Sequence, residues 1–156
     1  ADDNRRNRQA HGVDADGSVV FTGRECIGYA DHRSRGQFTV AGNLLTDESV
    51  LDATAAAYES DAFGEAPLAE RLIHALAAGL EAGGDKRESL SVGSAALKIV
   101  STEEMAYRRF YNDLRVDASE TPVDDLRTTY EAALLGYEQS LDEYADPAEV
   151  DSLRPE

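Results

Sequence analysis

Asp16-Gly17 lies between two short runs of strand-forming residues, and this corner constrains the fold more than any other feature of the chain. Aspartate followed by glycine supplies the positive backbone angles that a primed two-residue turn requires. Gln9 to Asp14 and Ser18 to Thr22 are therefore predicted to fold back on each other as an antiparallel hairpin. Gln37 to Ala41 reads as a third strand. Gly42 and Asn43, both tolerant of unusual backbone angles, are expected to end it.

Helical periodicity follows. Thr46 is placed to cap a helix that carries Asp47 and Glu48 in its first turn, where carboxylates match the positive helix end. Its apolar face runs through Val50, Leu51, Thr54, Ala57 and Tyr58. Pro67 opens a second helix whose expected buried stripe is Leu68, Leu72, Ala75, Leu76 and Leu80, stopped by Gly83-Gly84. Val92 to Val100 and Phe110 to Val116 read as strands. Thr121-Pro122-Val123-Asp124 reads as a capping box that starts a helix with Leu126, Tyr130, Leu134, Tyr137 and Leu141 on one face. Residues 1–145 are read as part of one domain, and 146–156 as a polar tail expected to fray. Three strands, two helices, two strands and one helix, with no internal repeat, predict a layered α/β or α+β sandwich.

The chain has 156 residues and 42% hydrophobic residues, enough for one globular core. Its formal charge of -16 is the outlying value. A surface dense in carboxylates repels itself in dilute salt and is relieved by screening counterions, so we read the source as halophilic. Duplex nucleic acid is excluded as a partner, because a polyanion is repelled. Arg5, Arg6 and Arg8 form a basic cluster, read as a local balance for Asp2 and Asp3. A single cysteine excludes an internal disulfide and a Cys-rich zinc site. No apolar run approaches membrane-span length and no signal peptide opens the chain, so a cytoplasmic protein is expected, with no membrane partner.

Cys26 and His32 are the sharpest reactive pair, since a histidine beside a cysteine can make a nucleophilic thiolate and six residues of loop can bring them together. The competing reading is that Cys26 is a small buried hydrophobe. Asn43 can aim an amide at a substrate oxygen, or simply serve a turn. Gly83-Gly84-Asp85 with Arg87 can bind an anion, or be a helix stop followed by solvated charge. Asp113, Arg115 and Asp117 share one strand face and are read as an ion-pair ladder. Asp14 to Gly17 opens like a calcium loop but lacks the later ligands. His11, His32 and His74 have no metal-ligand spacing, so neither metal nor cofactor is expected.

Arg8-Gln9, Thr22-Gly23, Cys26, Tyr29, His32, Gly42-Asn43, Gly83-Gly84-Asp85, Arg87, Ser94-Ala95-Ala96-Leu97 and Asp113 to Asp117 occur in an order and with gaps that resemble one family. That family is domain of unknown function 1028, grouped by fold with the Ntn-hydrolases. The resemblance covers Arg8 to about Leu126. Tyr29 stands where the family pattern has Trp, and Ala41 where Gln often precedes Gly-Asn.

The resemblance implies an α+β fold, a four-layer αββα Ntn-hydrolase-like sandwich that lacks its N-terminal strands in this chain. It also implies an upstream N-terminal segment of the same protein as a partner, and a homo-oligomer that covers the exposed edge. The implied reaction is hydrolysis of an amide or related C–N bond in a small metabolite. The N-terminal nucleophile would be supplied upstream, because Ala1 has no nucleophilic atom. Cys26, His32 and Asn43 would be its catalytic residues here, and Asp85 and Arg87 would bind the small-molecule ligand. A metabolite-binding or structural assembly protein that kept the fold and lost the chemistry is the alternative.

Overall fold

A computed structural model of the chain describes residues 2–61, 64–87, 91–102, 107–146 and 150–154. The chain divides into two compact units, Ala1–Gly64 with His74–Leu90, and Glu65–Ile73 with Ser91–Glu156.

In the first unit, β1 (Gln9–Val13) and β2 (Ser18–Thr22) pair antiparallel, from Gln9 opposite Thr22 to Val13 opposite Ser18. The hairpin is the one expected; its turn is not. Asp14 leaves the strand because its carboxylate accepts the backbone N–H of Asp16 at 2.9 Å and of Gly17 at 3.0 Å. The Asp14 N–H donates to the Gly17 carbonyl, which closes a four-residue loop in place of a two-residue one.

A strand absent from the sequence reading follows. β3 (Tyr29–Arg35) pairs antiparallel with β4 (Phe38–Leu45). Its sequence, YADHRSR, hides it, because both of its faces are polar. One face meets the first hairpin through hydrogen bonds, Ser34 Oγ to Ser18 Oγ at 2.6 Å and His32 Nδ1 to Thr22 Oγ1 at 2.9 Å. His11 Nδ1 and Thr39 Oγ1, at 2.9 Å, extend this polar layer. The other face meets α1 (Ser49–Asp61): Arg33 Nε donates to Asp52 at 2.6 Å, Arg35 pairs with Glu59, and the rings of Phe38 and Tyr58 lie 4.7 Å apart. The two-residue period of a strand sorts these partners.

Gly42-Asn43 does not end the third expected strand. β4 runs through both residues to Leu45, and the register slips between Tyr29 and Asp31, which face Leu45 and Gly42. One extra residue on β4 makes a bulge, with Leu44 at φ 56°. The helix cap also differs from expectation. Asp47, rather than Thr46, accepts the Ser49 N–H at 2.8 Å, and the Thr46 N–H donates to Gly84. Within this unit Val50, Leu51 and Ala55 of α1 are buried. A Cβ on Gly79 would stand 2.3 Å from Thr54 Oγ1, so glycine there lets the end of α2 (Leu68–Glu81) lie close against α1.

The expected stripe of α2 is corrected too. Leu68, Leu76 and Leu80 are exposed and Ala69 and Ile73 are buried, whereas of the expected residues Ala75 is buried and Leu72 is partly buried against the core. The helix turns small and β-branched side chains inward, which permits closer approach, and leaves three of its four leucines outside.

In the second unit, β5 (Gly93–Lys98) pairs antiparallel with β6 (Asp113–Ser119). A 3-10 turn at Phe110–Asn112 precedes β6, so the strand starts three residues later than expected. Arg115 binds Asp117 at 2.7 Å, which is one step of the ladder read from the sequence, while Asp113 pairs instead with Lys98 and Arg108, each at 3.6 Å. α3 (Pro122–Tyr144) lays Leu126, Tyr130, Tyr137 and Leu141 over a core with Ala69, Ile73, Leu97 and Tyr111. Tyr111 packs edge-on against Tyr130 and Tyr137, with ring centroids 6.2 and 5.1 Å away. Thr121 makes no side-chain cap; Ser119 and Thr121 instead donate their hydroxyls to the Asp125 carboxylate. Part of the tail expected to fray is helical: α4 (Val150–Leu153) buries Leu153, whose carbonyl accepts the Tyr137 hydroxyl at 3.2 Å. Residues 147–149 and 155–156 of that tail lie outside the described residues.

The described residues thus form a mixed α+β structure with three two-stranded antiparallel sheets. Among them no helix is long and apolar enough to cross a membrane.

Candidate functional site

The β2–β3 connection and the β4 bulge meet at the start of β1. The Gly23 N–H donates to the Arg8 carbonyl at 2.8 Å, and the Glu25 N–H donates to Arg6 at 2.8 Å. Gly23 allows this approach: a Cβ there would stand 2.2 Å from the Arg6 carbonyl oxygen. The Leu44 N–H donates to Ile27, and the Leu44 carbonyl accepts the Lys86 N–H at 2.8 Å. Leu44 is therefore held on both sides in a left-handed conformation that costs a non-glycine residue about 1 kcal/mol. Conformations of this kind gather where a chain shapes a binding site.

Between these segments lies a cleft of about 690 Å³, lined by Arg8, Gln9, Cys26, Ile27, Asn43 and Leu44 among others. Gln9 is its polar centre. Its Nε2 lies 3.0 Å from Thr22 Oγ1, 3.0 Å from the Asp31 carbonyl and 2.9 Å from the Gly42 carbonyl. Its Oε1 accepts Asn43 Nδ2 at 3.4 Å. One side chain so ties β1 to β2, β3 and β4 and positions the Asn43 amide at the cleft.

The sequence-predicted residues fall into three groups. Cys26 and Asn43 both line the cleft. His32 sits on β3 rather than in a loop, so the loop that was to bring it to Cys26 does not exist. Its Nδ1 faces Thr22 Oγ1, and the Cys26 thiol donates to the Arg8 carbonyl at 3.6 Å. No thiol–imidazole hydrogen bond forms between them. Asp85 and Arg87 are together but occupied with each other, the Arg87 backbone N–H and guanidinium both donating to the Asp85 carboxylate. That guanidinium holds the Asp85 carboxyl below the usual aspartate range. The Asp85 backbone bridges to Leu45 at the end of β4, next to the bulge.

Electrostatics near His32 are set by Asp31. The backbone N–H of His32, then the Arg33 guanidinium, hold the Asp31 carboxyl below its ordinary value, against the opposing effect of burial. Arg33 lies 3.1 Å from Asp31 and 2.6 Å from Asp52.

Sequence reasoning missed Gln9, Thr22 and Lys86 as site residues. Gln9 and Thr22 carry a legible signal, polar side chains on the same face of a hairpin that needs a covered face. Lys86 carries none. It approaches Gly28, where a Cβ would stand 2.8 Å from Lys86 Nζ, and Gly28 has φ 73°. Among the described residues no three His, Cys, Asp or Glu side chains are grouped to hold a metal ion.

Comparison with known proteins adds the following. The model of a family described as a family of unknown function, DUF1028, matches residues 1–126. The crystal structure of protein SPO2555 from Silicibacter pomeroyi, of the same family model, is 27% identical with a TM-score of 0.68. The match covers 85% of this chain and 53% of that one, so the chain spans about half the length of this relative. No curated protein matches the chain.

Proposed function

This chain belongs to the DUF1028 family, and we propose that it supplies the ligand-orienting part of an Ntn-hydrolase-like αββα sandwich that hydrolyses an amide or related C–N bond in a small metabolite. The observation that carries the reading is the cleft between Gln9, Cys26 and Asn43. It presents the Asn43 amide and the Arg8 guanidinium to a carbonyl or carboxylate oxygen, while the Cys26 thiol donates to the Arg8 carbonyl, His32 Nδ1 faces Thr22 and His11, also in the lining, faces Thr39. Such a site binds and polarises; the attacking group comes from elsewhere. In this reading it comes from a segment upstream of Ala1 whose free terminal amine acts as base.

Two further observations favour added partners. Ala10, Gly12, Val19 and Phe21 form one face of the first hairpin, with Val19 72% and Phe21 43% exposed. Leu68, Leu76 and Leu80 leave a second apolar stripe on α2. In this proposal the upstream segment covers the first surface and a second copy covers the other. The net charge of -16 suits a cytoplasm of high salt.

The test is the protein expressed with its upstream segment, assayed in molar potassium chloride against amides and ureides. Turnover lost on replacing the upstream terminal nucleophile, and retained in Cys26→Ala, is expected. Turnover that depends on Cys26 alone overturns the assignment of the nucleophile. Binding without turnover makes the protein a metabolite-binding module instead.

A further inference from the structure

The second unit contains its own cleft of about 220 Å³, between the start of α2, the end of β5 and the 3-10 turn before β6. One wall is apolar, made by Pro67, Leu68 and Ile99. The other is polar and carries Arg109, Tyr111 and Tyr130. Arg109 is half-buried, and its Nε is shut off from water without a hydrogen-bond partner. Its neighbour Arg108, by contrast, reaches Asp113 at 3.6 Å. Arg6, Arg8, Arg33, Arg35, Arg87, Arg115 and Arg154 likewise each have a carboxylate within 4 Å. Among the described residues Arg109 pairs with no carboxylate. A guanidinium N–H shut off from water and left without an acceptor is costly, and an anion that enters beside it removes the cost.

The geometry points to a small organic carboxylate with a short aliphatic body as the ligand of this cleft, its carboxylate on Arg109 and its chain against Ile99 and Leu68. The volume is below that of a drug-sized pocket, which sets the size class. The phenol of Tyr130 is pushed up to about 12 by burial, so it stays protonated and donates to the carboxylate. Glu70, the carboxylate that acts on Tyr130 from α2, is exposed and lies on the helix that forms the apolar wall. A ligand with a second negative charge is therefore disfavoured. This site shares no residue with the cleft at Gln9 and stands or falls independently of the proposed hydrolysis.

The test is thermal unfolding of the full chain in sodium butyrate, compared with sodium chloride at equal concentration and with butyramide. Butyrate is expected to raise Tm above both references, and the rise to disappear in Arg109→Gln, with binding weakened about tenfold or more. Tyr130→Phe should keep a reduced rise. Equal Tm in butyrate, chloride and butyramide overturns the proposal, as does an unchanged rise in Arg109→Gln. Inorganic phosphate stabilising more than butyrate overturns the carboxylate class. If Arg109→Gln does not fold, the butyramide comparison and Tyr130→Phe decide, and a full rise in either rejects the site.

Discussion

Thr22 Oγ1 stands 2.9 Å from His32 Nδ1, and this contact commits the imidazole to the hairpin behind it rather than to the Cys26 thiol. The same hydroxyl lies 3.0 Å from Gln9 Nε2. His32 is thus part of the frame that holds the cleft.

If so, His32 does not activate Cys26. Alkylation of Cys26 by iodoacetamide should proceed at the same rate, within about twofold, in wild type and His32→Gln. A large fall in the variant would restore the thiol–imidazole pair.

Gln9 has three acceptors on Nε2 and one donor on Oε1, and leucine in its place removes the amide from the part-buried Asp31 and Gly42 carbonyls, while Thr22 keeps His32. Gln9→Leu should lower stability by about 2 kcal/mol, read as a fall in denaturation midpoint with unchanged m-value.

A left-handed alanine and a crowded glycine invite opposite outcomes. Ala118 holds φ 55° in β6 and is exposed, so Ala118→Gly relieves strain at no cost in packing. It should raise stability by about 0.5–1 kcal/mol by chemical denaturation. Gly23→Ala drives a methyl into the Arg6 backbone and should cost about 2 kcal/mol or more by the same measurement.

Arg33 beside Asp52 holds that carboxyl below its unfolded value. The stability this pairing contributes is complete above about pH 4, the unfolded value, and is lost as pH falls through the lower folded one. The Tm gap between wild type and Asp52→Asn should therefore be constant near neutrality and close as the solution is acidified below about pH 4. Unpaired carboxylates act with the opposite sign, since protonation relieves their repulsion. Only the difference between the two proteins isolates the pair.

Local chemistry was legible where residue and conformation correspond one to one. Asp16-Gly17 announced a hairpin, Gly83-Gly84 a helix stop, and α3 its apolar face. What stayed hidden was settled by tertiary contacts. β3 escaped because each of its faces is satisfied by hydrogen bonds and ion pairs, so no apolar alternation marks it. Gly42-Asn43 was read as an end because a bulge and a terminus ask for the same backbone angles. The α2 stripe was misread in part because Leu68, Leu76 and Leu80 were favoured over Ala69 and Ile73, which the core in fact takes. Cys26 and Asn43, picked out by residue type, both line the cleft, while Gln9 was missed because only the stacked hairpins give it its partners.

Each sheet among the described residues has two strands, and Leu45–Asp85 is an isolated bridge beside them. In a ribbon of this kind alternate amides of a strand point away from its partner. Deuterium uptake along β1 and β2 should then rise and fall with a period of two residues, slow where the N–H faces across the ladder and fast where it faces out. The outward row is also a template on which another extended chain can register, so flattening of that alternation would report a newly docked strand residue by residue.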